Sequence, residues 1–198
     1  MKILFKSIFA GLVIAMLLSF LPFERQCRNI SEDVLRVHIL ADSDSEHDQN
    51  VKLVVRDAVL EYTDSLYDNV SSKEEAVRLT EDNLDAIIKS AEDSLRDIGE
   101  YKKITAEITD MDFTTRFYDD ITMPSGNYTA LRIKIGSGKG KNWWCVMYPS
   151  LCLYTSSDKN SLEQKLEERE YEVVSDRPKY EFRFKLLEYF DYFCGLFR

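Results

Sequence analysis

An α+β fold, with two main helices layered over an antiparallel or mixed sheet of about four strands, is predicted by three observations along this 198-residue chain. Val34–Leu40 (VLRVHIL) is rich in β-branched residues. Two stretches, Val51–Leu66 and Ala76–Leu95, space their apolar residues three and four apart, the period of a helix that buries one stripe. Segments between Tyr101 and Tyr148 then alternate with a period of two, as half-buried strands do. Laying such helices on one face of such a sheet buries both apolar surfaces together. A signal or anchor helix precedes this core, and a helical tail follows it.

At the N-terminus, Lys2 and Lys6 form a basic region before the uncharged stretch Ser7–Phe23, the order of an export segment. Around Ser19-Phe20-Leu21-Pro22 no pair of small residues marks a cleavage site. A removed signal peptide and a retained anchor both remain open, the stretch being near the short end of the ~17–25 residues that cross a bilayer. The expected divisions are 1–24 for this segment, 31–155 for the α+β domain and 156–198 for the extension.

The first strand ends at Ala41. Ser43 with Glu46, or Ser45 with Asp48, has the spacing of a capping box, so a helix opens there, carries Val51, Val54, Val55, Ala58, Val59, Tyr62 and Leu66 on its apolar stripe, and closes near Tyr67. A second helix starts after Ser71-Ser72 and ends at Gly99. Ile104, Ala106 and Ile108 alternate with Thr105, Glu107 and Thr109 in the next strand. Beyond Asp119-Asp120 and Pro124-Ser125-Gly126, the residues from Tyr128 to Ile135 alternate again, and Asn142–Tyr148 is expected to pair with them as a hairpin through the Gly136–Lys141 loop.

After Thr155, Leu162 and Leu166 suggest a short helix, Arg177-Pro178 a break, and Tyr180–Phe197 an aromatic segment. This tail either packs on the main domain or lies at a membrane interface, with Arg183, Lys185 and Arg198 toward anionic headgroups.

A formal net charge of −9 excludes a phosphate-binding face of the kind nucleic acids need. Gly136–Lys141 contains Gly-Lys, but Gly140 stands where a P-loop requires Ser or Thr. Asp42, Asp44 and Glu46 lack the glycine of a calcium loop. With only His38 and His47 beside a single C-x6-C, neither a zinc site nor a Cys–His nucleophile is indicated. No metal, cofactor or catalytic residue is therefore expected.

Four cysteines, Cys27, Cys145, Cys152 and Cys194, suit an oxidising compartment and permit three full pairings. Cys145 and Cys152 are the best-placed pair, although diagonal neighbours across a two-residue turn at Pro149-Ser150 would be roughly 7–8 Å apart, beyond the usual ~4.4–6.8 Å. A bridge requires a wider turn, and two buried thiols are the alternative.

Three separated blocks stand out together. The first is Arg36-Val37-His38-Ile39-Leu40-Ala41-Asp42-Ser43-Asp44, continuing through Asp48-Gln49, Lys52 and Val55–Val59. The second is Phe113–Tyr118. The third runs from Pro124 through Gly126, Tyr128 and Ala130-Leu131-Arg132 to Trp143-Trp144-Cys145 and Cys152. These blocks closely resemble the stage II sporulation protein R family. Asp42 stands where such proteins usually carry asparagine, and Ser150 replaces a second proline. The tail after Tyr154 lies outside the resemblance.

The resemblance implies a signal made in the forespore and exported into the space between the two membranes around it. There it activates a membrane-embedded aspartic protease, which removes the pro-segment of a mother-cell sigma factor. Such a protein is a ligand rather than an enzyme. Its expected contact residues are Lys139, Lys141, Asn142, Trp143 and Trp144, with Asp42 and Asp44 as a second patch, since tryptophan is enriched at interface hot spots. The alternative, a cell-wall hydrolase using Asp119 and Asp120, suffers because adjacent strand residues point to opposite faces.

Overall fold

The computed structural model describes residues 2–67, 69–118, 121–151, 162–175, 180, 183–189 and 192, without the side chains at 2, 12–14 and 16–20. The fold is α+β with a mixed four-stranded sheet. The chain forms two compact units, one from 31–111 and 127–166, the other from 1–30, 112–126 and 167–198.

The first unit is built around β1 (Leu35–Leu40). Leu35, Val37 and Ile39 are fully buried, as are Arg36 and nearly so His38 on the opposite face. A strand covered on both faces reads as an almost continuous run rather than an alternation, which explains the weak period at Val34–Leu40. Helix α2 (Glu46–Leu66) follows. Its N-cap is Ser45, whose Oγ accepts from the Asp48 amide at 3.1 Å, so the second of the two predicted caps forms.

The single helix predicted over 73–98 is instead two, α3 (Lys73–Asp82) and α4 (Leu84–Asp97). Thr80, Asp82 and Asn83 are weak helix formers, and Asn83 turns its Nδ2 back onto the Leu79 carbonyl at 2.8 Å. The helix ends there and restarts. α4 closes at the predicted glycine, Gly99, where Glu100 N donates to Leu95 O at 2.8 Å. Val51, Val55, Ala58 and Val59 of α2 and Ile87, Ala91 and Leu95 of α4 are buried, with α2 packed against both α4 and β1.

Strands β2 (Ile104–Phe113), β3 (Arg116–Tyr118), β4 (Ile121–Met123), β5 (Gly126–Ile135) and β6 (Asn142–Tyr148) come next. The sheet order is β2-β5-β1-β6. This corrects the expected hairpin, because β1 lies between β5 and β6. It runs parallel to β5, with His38 opposite Arg132, and antiparallel to β6, with His38 opposite Trp144. The Gly136–Lys141 segment therefore crosses over the end of β1 instead of closing a hairpin between β5 and β6. After β6 the chain passes a cis Tyr148-Pro149 bond, and Leu151 N donates to Val146 O at 3.3 Å.

Helix α1 runs from Lys2 to Asp33, and its residues through Ile30 belong to the second unit. It extends well past the predicted segment end. β3 and β4 pair antiparallel, Phe117 opposite Thr122, a hairpin too short for periodicity to reveal. Helix α5 (Glu168–Ser175) packs against β4 and buries Val173 and Val174. Among the described residues no helix is long and apolar enough to cross a membrane, and the side chains at 12–14 and 16–20 of the predicted export segment lie outside that description.

A candidate contact surface at the end of strand β1

Where β1 ends, the chain must leave a buried strand and enter an exposed helix within five residues, so its backbone groups need new partners. The Gly136–Lys141 segment supplies them. Gly140 N donates to Ala41 O at 2.8 Å, Lys139 N to Asp42 O at 3.4 Å, and Ser137 Oγ to Asp42 O at 2.8 Å. In return, Asp42 Oδ1 accepts from Ser137 N at 2.8 Å and Asp44 Oδ1 from Lys141 N at 2.7 Å. Two loops about 95 residues apart in sequence thus interlock.

Close approach makes two glycines necessary. A Cβ on Gly140 would lie 2.2 Å from the Ser43 carbonyl oxygen, and one on Gly136, which sits at φ 57°, would lie 2.6 Å from the Asp42 carboxylate. The glycine-rich composition of the loop is therefore a packing requirement.

Two lysines staple the arrangement from either side. Lys102 Nζ lies 2.6 Å from Asp42 Oδ2 and 2.8 Å from Asp48 Oδ1. Its bonds to Lys102, then those to Ser137, hold Asp42 well below the usual carboxylate range, and Lys102 and Ser43 do the same for Asp48. Lys102 is raised in turn by Asp42 and Asp48. Lys52, nearly buried, donates to Lys141 O at 3.1 Å and to Gln49 Oε1 at 2.7 Å. Burial lowers its pKa, and the neighbouring charges of Lys141 and Arg56 act in the same direction while Asp44 opposes them.

The sheet carries two rows of side chains out of this lock. Strand neighbours in register share a face, so Arg132, His38 and Trp144 line up across β5, β1 and β6. Trp144 stacks on His38 with ring centroids 4.0 Å apart, and Glu107 of β2 accepts from Arg132 Nε at 2.8 Å. On the other face Trp143 stands opposite Ile39, with the Arg56 guanidinium 5.5 Å from its ring centre. Deeper along β1, Arg36 donates to the Cys145 carbonyl at 3.4 Å and lies 5.0 Å over the Tyr128 ring.

The predicted contact residues thus divide. Asp42 and Asp44 spend their carboxylates inside the lock. Lys139, Lys141 and Asn142 are exposed, and the two lysines have no ion-pair partner among the described residues. Trp143 and Trp144 are both half-buried, one on each face. Cys145 is disulfide-bonded, whereas Cys152, Asp119 and Asp120 lie outside the described residues. Sequence reasoning missed Lys52, Lys102 and Ser137 as members of this site. The signal for Lys52 was a lysine beside the apolar stripe of an amphipathic helix, since Val51 and Val55 flank it in the core.

A sequence model of the family described as Stage II sporulation protein R (spore_II_R) matches residues 31–158, a span that contains both interlocked loops and the two tryptophans. The chain belongs to this family. It is also 33% identical over 141 residues to the Stage II sporulation protein R of Bacillus subtilis (strain 168), a match covering 71% of this chain and 63% of that relative. The chain thus spans less than two thirds of the length of the curated family member it matches. No solved structure matches it significantly. Of the three blocks that carry the resemblance, the first and the third converge on one place, whereas Phe113–Tyr118 belongs to the other compact unit. Arg36–Asp44, Asp48-Gln49 and Lys52 supply one side of the lock and Ala130–Trp144 the other.

Proposed function

We propose that this member of the stage II sporulation protein R family is an exported signalling ligand. It is made in the forespore, reaches the space between the two surrounding membranes, and activates a membrane-embedded aspartic protease that processes a mother-cell sigma-factor precursor. It acts by surface contact rather than by catalysis.

The observation that carries this reading is how the lock spends its polar groups. Asp42, Asp44, Asp48, Lys52 and Lys102 hold one another or backbone atoms. They shape a rigid loop beside which stand exposed cations, an amide and two half-buried indoles. Prior rigidity limits the entropy lost on binding, and tryptophan surrounded by polar rim residues is typical of an interface centre. Export is supported by the uncharged run Ser7–Phe23 and by Ile3, Leu4, Phe5, Ile8 and Phe9, all exposed on α1, which water alone does not favour.

The test is confinement. Ile8→Arg with Phe9→Arg places two charges in the apolar run, each costing ~2.5–3.5 kcal/mol near a helix centre in a bilayer. The double variant is expected to accumulate inside the producing compartment and to give no precursor processing. Normal processing by protein so confined would contradict the reading.

A further inference from the structure

Helix α1 changes character at Pro22. Before it, the described residues Ile3, Leu4, Phe5, Ile8 and Phe9 are 55–82% exposed. After it, Phe23, Cys27 and Ile30 are buried, spaced four and three apart on a single stripe. The exposed side of this second half carries Glu24 and Arg28, paired one turn apart. Helical backbone is continuous across the junction.

Phe23 is held from the far end of the chain. Its ring stacks on Tyr180, with centroids 5.7 Å apart and planes at 11°, and meets Phe184 edge-on at 5.4 Å. Arg183 caps both, 5.8 Å over Phe23 and 5.6 Å over Tyr180. Tyr180, Phe184 and Leu187 are themselves buried, while Tyr189 and Tyr192 are exposed. All of these residues belong to the same compact unit.

We infer that α1 is a permanent part of the exported protein, kept as its membrane anchor and gripped at Phe23 by the C-terminal aromatic segment. This rests on the export proposed above and goes beyond it, because export alone is equally served by a signal that is cut away. Three features speak for retention. Signal cleavage needs a pair of small residues two apart, and none lies between Gly11 and Phe23. The backbone there is helical through Asp33 rather than extended. A cut beyond Phe23 would also withdraw a fully buried ring from between two others. The buried residues Tyr180, Phe184 and Leu187 thereby fix the base of the anchor, and the lipid-facing part of α1 continues as the same helix into the part packed in this unit.

The experiment uses the full chain with a C-terminal epitope, produced in vegetative cells of a spore-forming bacterium, where export leads to the cell exterior. Membranes are isolated, outside accessibility is read by protease treatment of intact cells stripped of wall, and the epitope-bearing species is mapped by intact mass and N-terminal peptides. Retention predicts one externally accessible species that contains residues 3–23 and stays with the membrane in alkaline carbonate. An accessible species beginning after any residue of Ser7–Phe23, or one released as soluble protein, overturns the inference while leaving export intact. A full-length species protected from external protease overturns export itself, and the inference with it.

Discussion

The Trp144 indole lies flat on the His38 imidazole, with centroids 4.0 Å apart and planes 13° apart. The histidine is buried in the central strand and the tryptophan is half-exposed on the edge strand of the four. The pair therefore joins the core to the surface proposed to meet the protease. Trp144→Ala should cost about 2 kcal/mol of stability, less than a fully buried aromatic would, and Trp144→Phe should recover most of it. Thermal unfolding of the two variants checks this, and equal losses in both would mean that the stack contributes little.

The interlocked loops make a sharper stability prediction. Gly140→Ala forces a methyl group against the Ser43 carbonyl, and overpacking of this kind costs ~1–3 kcal/mol or more. Backbone, not a flexible side chain, blocks the space. Urea unfolding should show a lower midpoint with an unchanged slope. A midpoint equal to that of the parent would mean that the two loops separate in solution.

Asp42 and Asp48 are both held below their ordinary carboxylate range, first by Lys102. A carboxyl group whose folded pKa lies below its unfolded value stabilises the fold fully above the unfolded value, about 4, and loses that contribution as pH falls toward the folded one. Stability should therefore decline from about pH 4 downward. Lys102→Met should flatten this acid limb while lowering stability at neutral pH. Lys102 itself is raised, so its contribution is complete below about pH 10 and fades only above that. An unaltered acid limb in the Met variant would show that other groups dominate it.

Phe23→Ala removes a fully buried ring between Tyr180 and Phe184 and should cost ~3–5 kcal/mol in the unit that contains it. Leu21→Ala, two residues away and exposed, should change little. Limited proteolysis of detergent-extracted protein reads the difference as faster cutting in the first variant only. Identical digestion of both would argue that the C-terminal segment does not grip the helix.

Local elements were legible because they are written in spacing. The start of α2 at Ser45 is one of the two caps its spacing offered, α4 ends at the expected Gly99, and β6 has the expected bounds, Asn142–Tyr148. What was not legible depends on partners remote in sequence. A glycine-rich loop between two alternating runs reads as a hairpin turn, and nothing nearby says that β1, some ninety residues earlier, slots between its strands. The same holds for Lys52 and Lys102, whose roles exist only once Lys141, Asp42 and Asp48 are brought together. The break at Asn83 was a local signal, outweighed by the continuous apolar period on either side. The burial of Phe23 was hidden because it sits at the end of an apolar run that already had an explanation.

The central claim is that the rigid loop and its tryptophans touch the protease. It is tested most directly by co-producing the chain, the membrane-embedded protease and the sigma-factor precursor in a host that does not sporulate, and measuring the fraction of precursor cleaved. Single alanine variants at Lys139, Lys141, Asn142, Trp143 and Trp144 are compared at matched exported levels. A hot-spot side chain worth ~2 kcal/mol corresponds to about a 30-fold loss of binding, so at least one variant should fall to near-background cleavage while remaining folded and exported. If all five support cleavage at the parental rate, the contact lies elsewhere on the molecule and the claim is wrong.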